Sequence, residues 1–264
     1  MTHHLNQTLV INTMHKEYRN HTLIFLLLLS LLLIYAINGT MDFFMGGSAL
    51  AASKLAILYR IISAWGGLLG LLLGSGCLSS DRMSGVMPII LALPVSRAEY
   101  LLARVVGTWL IVMGYYALSL MLGFVVFSVG SLGLAVNPRI LPALLINSVG
   151  ILAAILLGLL FSLFLSRTKA FIASLITAGA CLAADSSLSG LSLLEQFSNL
   201  SLWRSLALTL HYLLPRLDNV SELAQCVLFG RATLLNPWLE ALHLVFSLTL
   251  LAAASLLVFR RQDL

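Results

Sequence analysis

The stretch SSDRMSGVMPIILALPVSRAEYLLAR, residues 79–104, is the largest group of charges and prolines between two long apolar runs. Pro88 suits the first turn of a helix, where its missing N–H has no partner to lose. Pro94 pushes the residue before it out of helical geometry. Between them the spacing predicts a stiff rod of about six residues, 88–93. Ser96 then opens a second helix, because Ser96-Arg97-Ala98-Glu99 has the capping-box spacing: the serine hydroxyl can accept from the Glu99 amide, and the Glu99 carboxylate from the Ser96 amide. The apolar run that follows carries this helix into a bilayer. A short, basic-edged rod at the mouth of a membrane span is either an ordinary loop or a lever against which a soluble partner can push.

Composition places the stretch in a membrane protein. The chain has 264 residues, 60% of them hydrophobic and 9% charged, with a mean hydropathy of +1.01. Soluble domains carry about 25% charged residues, so the expected class is an all-α, polytopic membrane protein. The net charge of +5 comes from lysines and arginines scattered at the ends of apolar runs, which marks topology rather than a nucleic-acid partner. Cys77, Cys181 and Cys226 are odd in number and give neither a disulfide framework nor a metal-ligand spacing.

Taken in order, the chain predicts six spans. In residues 1–21, Val10, Met14 and Tyr18 recur at helical spacing opposite Lys16, Glu17 and Arg19, as in an amphipathic helix on the inner surface; a solvated tail is the other reading. His3, His4, His15 and His21 have no cysteine or carboxylate partners, so no metal site is expected. Thr22–Ile37 is the first span, too long for a signal-peptide core and without a small-residue cleavage site. After the glycine-rich connection Asn38–Lys54, the second span is Leu55–Leu78, with Arg60 able to snorkel to the headgroups. Its Gly66, Gly70 and Gly74 form a GxxxGxxxG stripe that admits another helix backbone, either within the chain or across a homodimer seam.

Tyr100–Val129 is the third span, and Asn137-Pro138 marks the turn after it. The fourth is Ile140–Leu165, with small residues at Gly150, Ala154 and Gly158; Ser166-Arg167-Thr168-Lys169 ends it on the inner side. Ala170–Ala184 is too short to cross, and continuing to Leu194 makes the fifth span at the expense of enclosing Asp185. An ionisable group at that depth is a candidate for a substrate path; the serines after it favour the outer interface instead. In the long connection before Asn236, Leu200–Leu214 is apolar but carries Trp203, Arg204, His211 and Tyr212, which suits an interfacial or re-entrant segment. Arg216, Asp218 and Glu222 read as a charged outer turn. Trp238–Phe259 is the last span, followed by Arg260-Arg261. Nine of the fifteen lysines and arginines then lie inside and six outside, with both termini inside.

Chemistry of the catalytic kind is missing from the sequence. None of the three lysines sits in a GxxxxGK[ST] phosphate cradle, and no HExxH, GxSxG or paired-cysteine motif occurs. A single intramembrane carboxylate is too few for ion-coupled transport.

The opening stretch resembles the coupling-helix region of type-2 ABC exporter permeases, whose pattern is Glu-Arg-Glu-x-Gly-Thr, an apolar run, Pro-Val-Ser-Arg-x-Glu and a final basic residue. Asp81, Arg82 and Gly85 stand at the first acidic, basic and glycine positions; Pro94, Val95, Ser96, Arg97 and Glu99 match directly; Arg104 takes the last place. Met83, Val86 and Pro88 depart from it. The resemblance implies a permease subunit without enzymatic activity of its own in a bacterial inner membrane. It implies a homodimer served by two copies of a separate cytoplasmic ATPase that binds ATP and Mg, while this chain holds no cofactor and contacts lipid and an export substrate. In that setting Asp81, Arg82, Gly85, Pro88, Pro94, Ser96, Arg97, Glu99 and Arg104 are the candidate coupling residues. Two other settings share this sequence pattern: a membrane component that matures a periplasmic metalloenzyme or cytochrome, and a non-transporting scaffold.

Overall fold

The structure is a computed structural model, and it describes residues 10–11, 28–36, 39–40, 51–83, 85, 96–129, 139–188, 201–230 and 236–261. Among them are eight helices and no strand: α1 (Ala51–Gly76), α2 (Ser79–Met83), α3 (Arg97–Val129), α4 (Ile140–Ser162), α5 (Arg167–Leu188), α6 (Leu202–Leu213), α7 (Leu217–Phe229) and α8 (Pro237–Arg261). Residues 28–36 are also helical.

Among the described residues, five helices are long and apolar enough to cross a membrane: Ala56–Gly76, Arg97–Gly123, Ile140–Ser162, Arg167–Leu188 and Pro237–Arg261. The expected first span is described only over residues 28–36, where Ser30 and Ile34 are buried. Of the expected amphipathic N-terminal helix only residues 10 and 11 are described, and they are helical.

α4 is the hub, with α1, α3, α5, α7 and α8 all packed against it. Its 18-residue apolar window is 61% buried, against 22% for α8, and its buried positions run round most of its circumference. A helix apolar on all sides is one that belongs in the middle of a bundle.

What lets α1 come so close to α4 is the absence of side chains at the contact. A Cβ on Gly70 would meet the Ala154 methyl at 3.2 Å, one on Gly74 would meet Ile155 Cα at 2.9 Å, and one on Gly158 would meet the Leu71 carbonyl at 2.7 Å. Gly66 faces Tyr116 of α3 and Ile151 of α4. The stripe is therefore filled from within the chain, which is the intramolecular of the two readings of Gly66, Gly70 and Gly74. The small stripe of α4 does not stay on one side. Steps of four residues at 100° each overshoot a full turn by about 40°; Gly150 accordingly faces Val220 of α7, whereas Gly158 faces α1.

Four side-chain hydrogen bonds inside this core cross between helices, where no water can substitute. The Tyr59 hydroxyl donates to the Ala143 carbonyl (3.2 Å), Ser63 and Tyr116 share a hydrogen bond (3.2 Å), Trp65 donates to the Tyr115 hydroxyl (3.1 Å) and Trp109 to the Ser148 carbonyl (3.0 Å).

Two expectations are corrected. The fifth span begins at Arg167 rather than Ala170, because Arg167 and Lys169 lie in the first turn of α5 instead of the loop; the turn is Leu163–Ser166. The 22 residues of α5 rise about 33 Å, enough to cross without the residues beyond Leu188. The charged turn at Arg216, Asp218 and Glu222 is the beginning of a helix, α7, with Val220, Ala224 and Leu228 buried at four-residue spacing. α6 and α7 have 12 and 13 residues and rise about 18 and 20 Å, short of the ~30 Å hydrocarbon core. They form a broken pair on the bundle: α6 lies on α5 and α7 on α4 and α1. Ser201 caps α6 by accepting from the Arg204 amide, and Pro215 separates the two. Gly230, at φ 64°, ends α7 in the left-handed conformation that glycine adopts without strain.

Candidate functional site

Helix ends gather at two poles. At one, α2, the start of α3, the start of α5 and the end of α8 come together; at the other lie α6, α7 and the start of α8.

The α2 pole contains what is described of the opening stretch. Asp81, in the first turn of α2, is 1% exposed. The Tyr100 hydroxyl donates to its Oδ2 at 2.5 Å, and Arg104 Nη2 donates to the same oxygen. Tyr100 and Arg104 are four residues apart on α3 and so present themselves from one face, with the Arg104 guanidinium 5.8 Å from the Tyr100 ring centroid. A buried carboxylate needs this company, since an uncompensated charge there carries a large desolvation cost.

Ser96 and Glu99 close the capping box. The Ser96 amide donates to Glu99 Oε2 at 3.0 Å, and the Glu99 amide donates to Ser96 Oγ at 3.2 Å. This fixes where α3 begins and how the chain enters it. One residue on, Arg97 Nη1 donates to the carbonyls of Phe259 (3.3 Å) and Arg260 (3.0 Å) at the end of α8. The Tyr100 and Phe259 rings stack 6.2 Å apart, and the Arg167 side chain lies over Gly76. Arg82 is exposed. Pro88 and Pro94 lie outside the described residues.

Gly85 sits at φ 65° with open space around it, a conformation that costs other residues about 1–2 kcal/mol. Gly85→Ala is therefore expected to destabilise the turn after α2 by about 1 kcal/mol without steric conflict. Hydrogen exchange should show the loss as faster exchange confined to the residues around 79–85.

At the opposite pole, Asp185 is paired with His211 of α6 at 2.5 Å, with both side chains 12% exposed, and Asp185 Oδ2 is buried without a described partner. Arg216 bridges α6 to α8, donating to the His211 carbonyl (3.2 Å) and to Glu240 (3.1 Å). Arg60, expected to snorkel alone, donates to Asp218 at 3.2 Å on the exposed surface. Asp185 thus lies near the C-terminal end of α5, joined to the helix pair.

The sequence reading missed Tyr100, Phe259, His211 and Glu240 as partners. Tyr100 had a signal, since Arg97, Tyr100 and Arg104 recur at three and four residues on one helical face.

These observations define a multi-pass helical membrane protein with a tightly bound cluster of helix ends at one pole. The chain matches the ABC-2 family transporter protein family over residues 6–264 and belongs to it. That makes it a membrane permease component of a transporter. No curated protein sequence matches it.

Proposed function

We propose that the chain is the membrane subunit of an ATP-driven exporter, working as a homodimer in a bacterial inner membrane with two copies of a separate cytoplasmic ATPase. That ATPase binds ATP and Mg; this chain supplies the passage and the surface on which the ATPase pushes. The observation that carries the reading is the α2 pole. Segment 84–95 is anchored on both sides, by Asp81 before it and by the Ser96–Glu99 cap after it. A push delivered to those two anchors moves α2 and α3, and the ATP-bound partner need only prefer one arrangement of the permease for the push to do work.

Charge supports placing this pole, and both termini, in the cytoplasm. On that orientation the inner segments hold nine basic and four acidic residues and the outer ones six of each. The whole net charge of +5 then lies inside, in keeping with the retention of lysine and arginine on the cytoplasmic side. Asp185, whose Oδ2 has no partner among the described residues, is the candidate for a substrate path.

The test is to express the chain with the ATPase encoded beside it and measure ATP hydrolysis in lipid nanodiscs. Stimulation is expected, and Pro88→Ala with Pro94→Ala should abolish it. Full stimulation by the doubly substituted chain would remove segment 84–95 from the coupling role.

A further inference from the structure

We propose that Arg97 is a positioning residue that ties the first turn of α3 to the last turn of α8, so that a displacement of the coupling segment is delivered to both spans together. The inference rests on the reading of the chain as an ATP-driven permease, and it turns Arg97 inward, onto this chain's own backbone, rather than outward to the ATPase.

The last carbonyls of a helix have no intrahelical donor, and the C-terminal end of the helix dipole favours a cation. α8 ends at Arg261, and Arg97 Nη1 reaches both the Phe259 and Arg260 carbonyls. The donor comes from the capped first turn of α3, where Ser96 and Glu99 hold the backbone. A second link runs parallel to it: Phe259, fully buried, stacks on Tyr100, also fully buried, and Tyr100 donates to Asp81 of α2. Carbonyls, guanidinium, rings and carboxylate therefore make one connected set across α2, α3 and α8.

The tie matters most for α8 because that span is embedded least, with 22% of its window buried against 44% for α3. Its opposite end is held to the α6–α7 pair by Glu240 and Arg216. Motion received at α3 would thus travel along α8 to the outer pole.

The experiment places spin labels at Leu102→Cys on α3 and Leu257→Cys on α8, both exposed, in full-length chain whose three native cysteines are replaced by serine, diluted with an excess of unlabelled cysteine-free chain so that each dimer carries at most one labelled protomer. Distances are measured by pulsed electron resonance in nanodiscs, for the chain alone and for its ATPase complex before and after trapping with ATP and vanadate. A single narrow distribution that does not shift on trapping is expected. Arg97→Gln should broaden it severalfold in the chain alone, and Arg97→Lys, which keeps a cation for the carbonyls, should restore most of the narrowness. A wild-type distribution that splits or shifts on trapping would overturn the proposal, as would an Arg97→Gln distribution equal to wild type. Should no ATPase copurify, the exporter reading fails, yet the comparison in the chain alone still decides whether Arg97 ties the two helices.

Discussion

Replacing Arg104 by leucine is expected to cost the protein about 3–5 kcal/mol, because it removes the guanidinium paired with the Asp81 carboxylate in a site where only 1% of the residue meets solvent. The penalty is the cost of stripping a buried charge of its cationic partner Arg104 and not the worth of the pair. Asp81→Asn should be milder, since an amide still accepts from Tyr100 and the Arg104 side chain keeps 11% exposure through which its charge can be hydrated. Arg104→Leu combined with Asp81→Leu removes both charges and should recover much of the loss, giving a coupling energy of about 2 kcal/mol or more in a double-mutant cycle. Asp81→Leu alone closes the cycle, and denaturant titration in mild detergent, following the near-ultraviolet signal, measures all four variants. A double variant as unstable as the sum of the singles would show that the two side chains act independently. Removal of Arg104 should also release α2 from α3, so the loss of ATPase stimulation should accompany the loss of stability.

How much of this was legible in the sequence depends on whether the partner was near in the chain. The Ser96–Glu99 box is local, three residues wide, and the geometry follows the spacing. The prolines and charges of residues 79–104 single that stretch out, and two of its candidate coupling residues, Asp81 and Arg104, bind each other across 23 residues. Sequence could show that each had a charge to satisfy, not where. Arg97 illustrates the limit more sharply, because its acceptors are backbone carbonyls more than 160 residues downstream, and a carbonyl leaves no signature in side-chain identity. Five of the six expected membrane spans were legible from apolar length, with one failure at the start of α5: Arg167 and Lys169 looked like a loop, although charges in the first turn of a span can reach the headgroups while the backbone stays helical. α7 was missed for a related reason. Asp218 and Glu222 interrupt its apolar run, and the buried Val220, Ala224 and Leu228 at four-residue spacing were the signal passed over.

The glycine contact between α1 and α4 yields the second large effect, and it separates room from flexibility. Gly74→Ala is expected to destabilise the fold by about 3 kcal/mol, the upper end of the range for overpacking, because the new methyl would lie 2.9 Å from Ile155 Cα and closer still to the Ile155 carbonyl oxygen. Those atoms are backbone of the central helix, which cannot rotate out of the way as a side chain can; α1 would have to shift as a body. Gly158→Ala meets the same obstacle from the other side, 2.7 Å from the Leu71 carbonyl. Gly67 is the control. It lies on the same helix with nothing within 4 Å of a Cβ, so Gly67→Ala should be neutral or stabilise by up to about 1 kcal/mol through helix propensity alone. If flexibility of α1 rather than close approach were what the glycines supply, all three substitutions would raise or lower thermal stability together. Close packing requires instead that Gly74→Ala and Gly158→Ala fall well below Gly67→Ala in the same melt. Because α1 leads into α2 and the Asp81 cluster, the loss should also appear as weaker ATPase stimulation in the first two variants and not in the third.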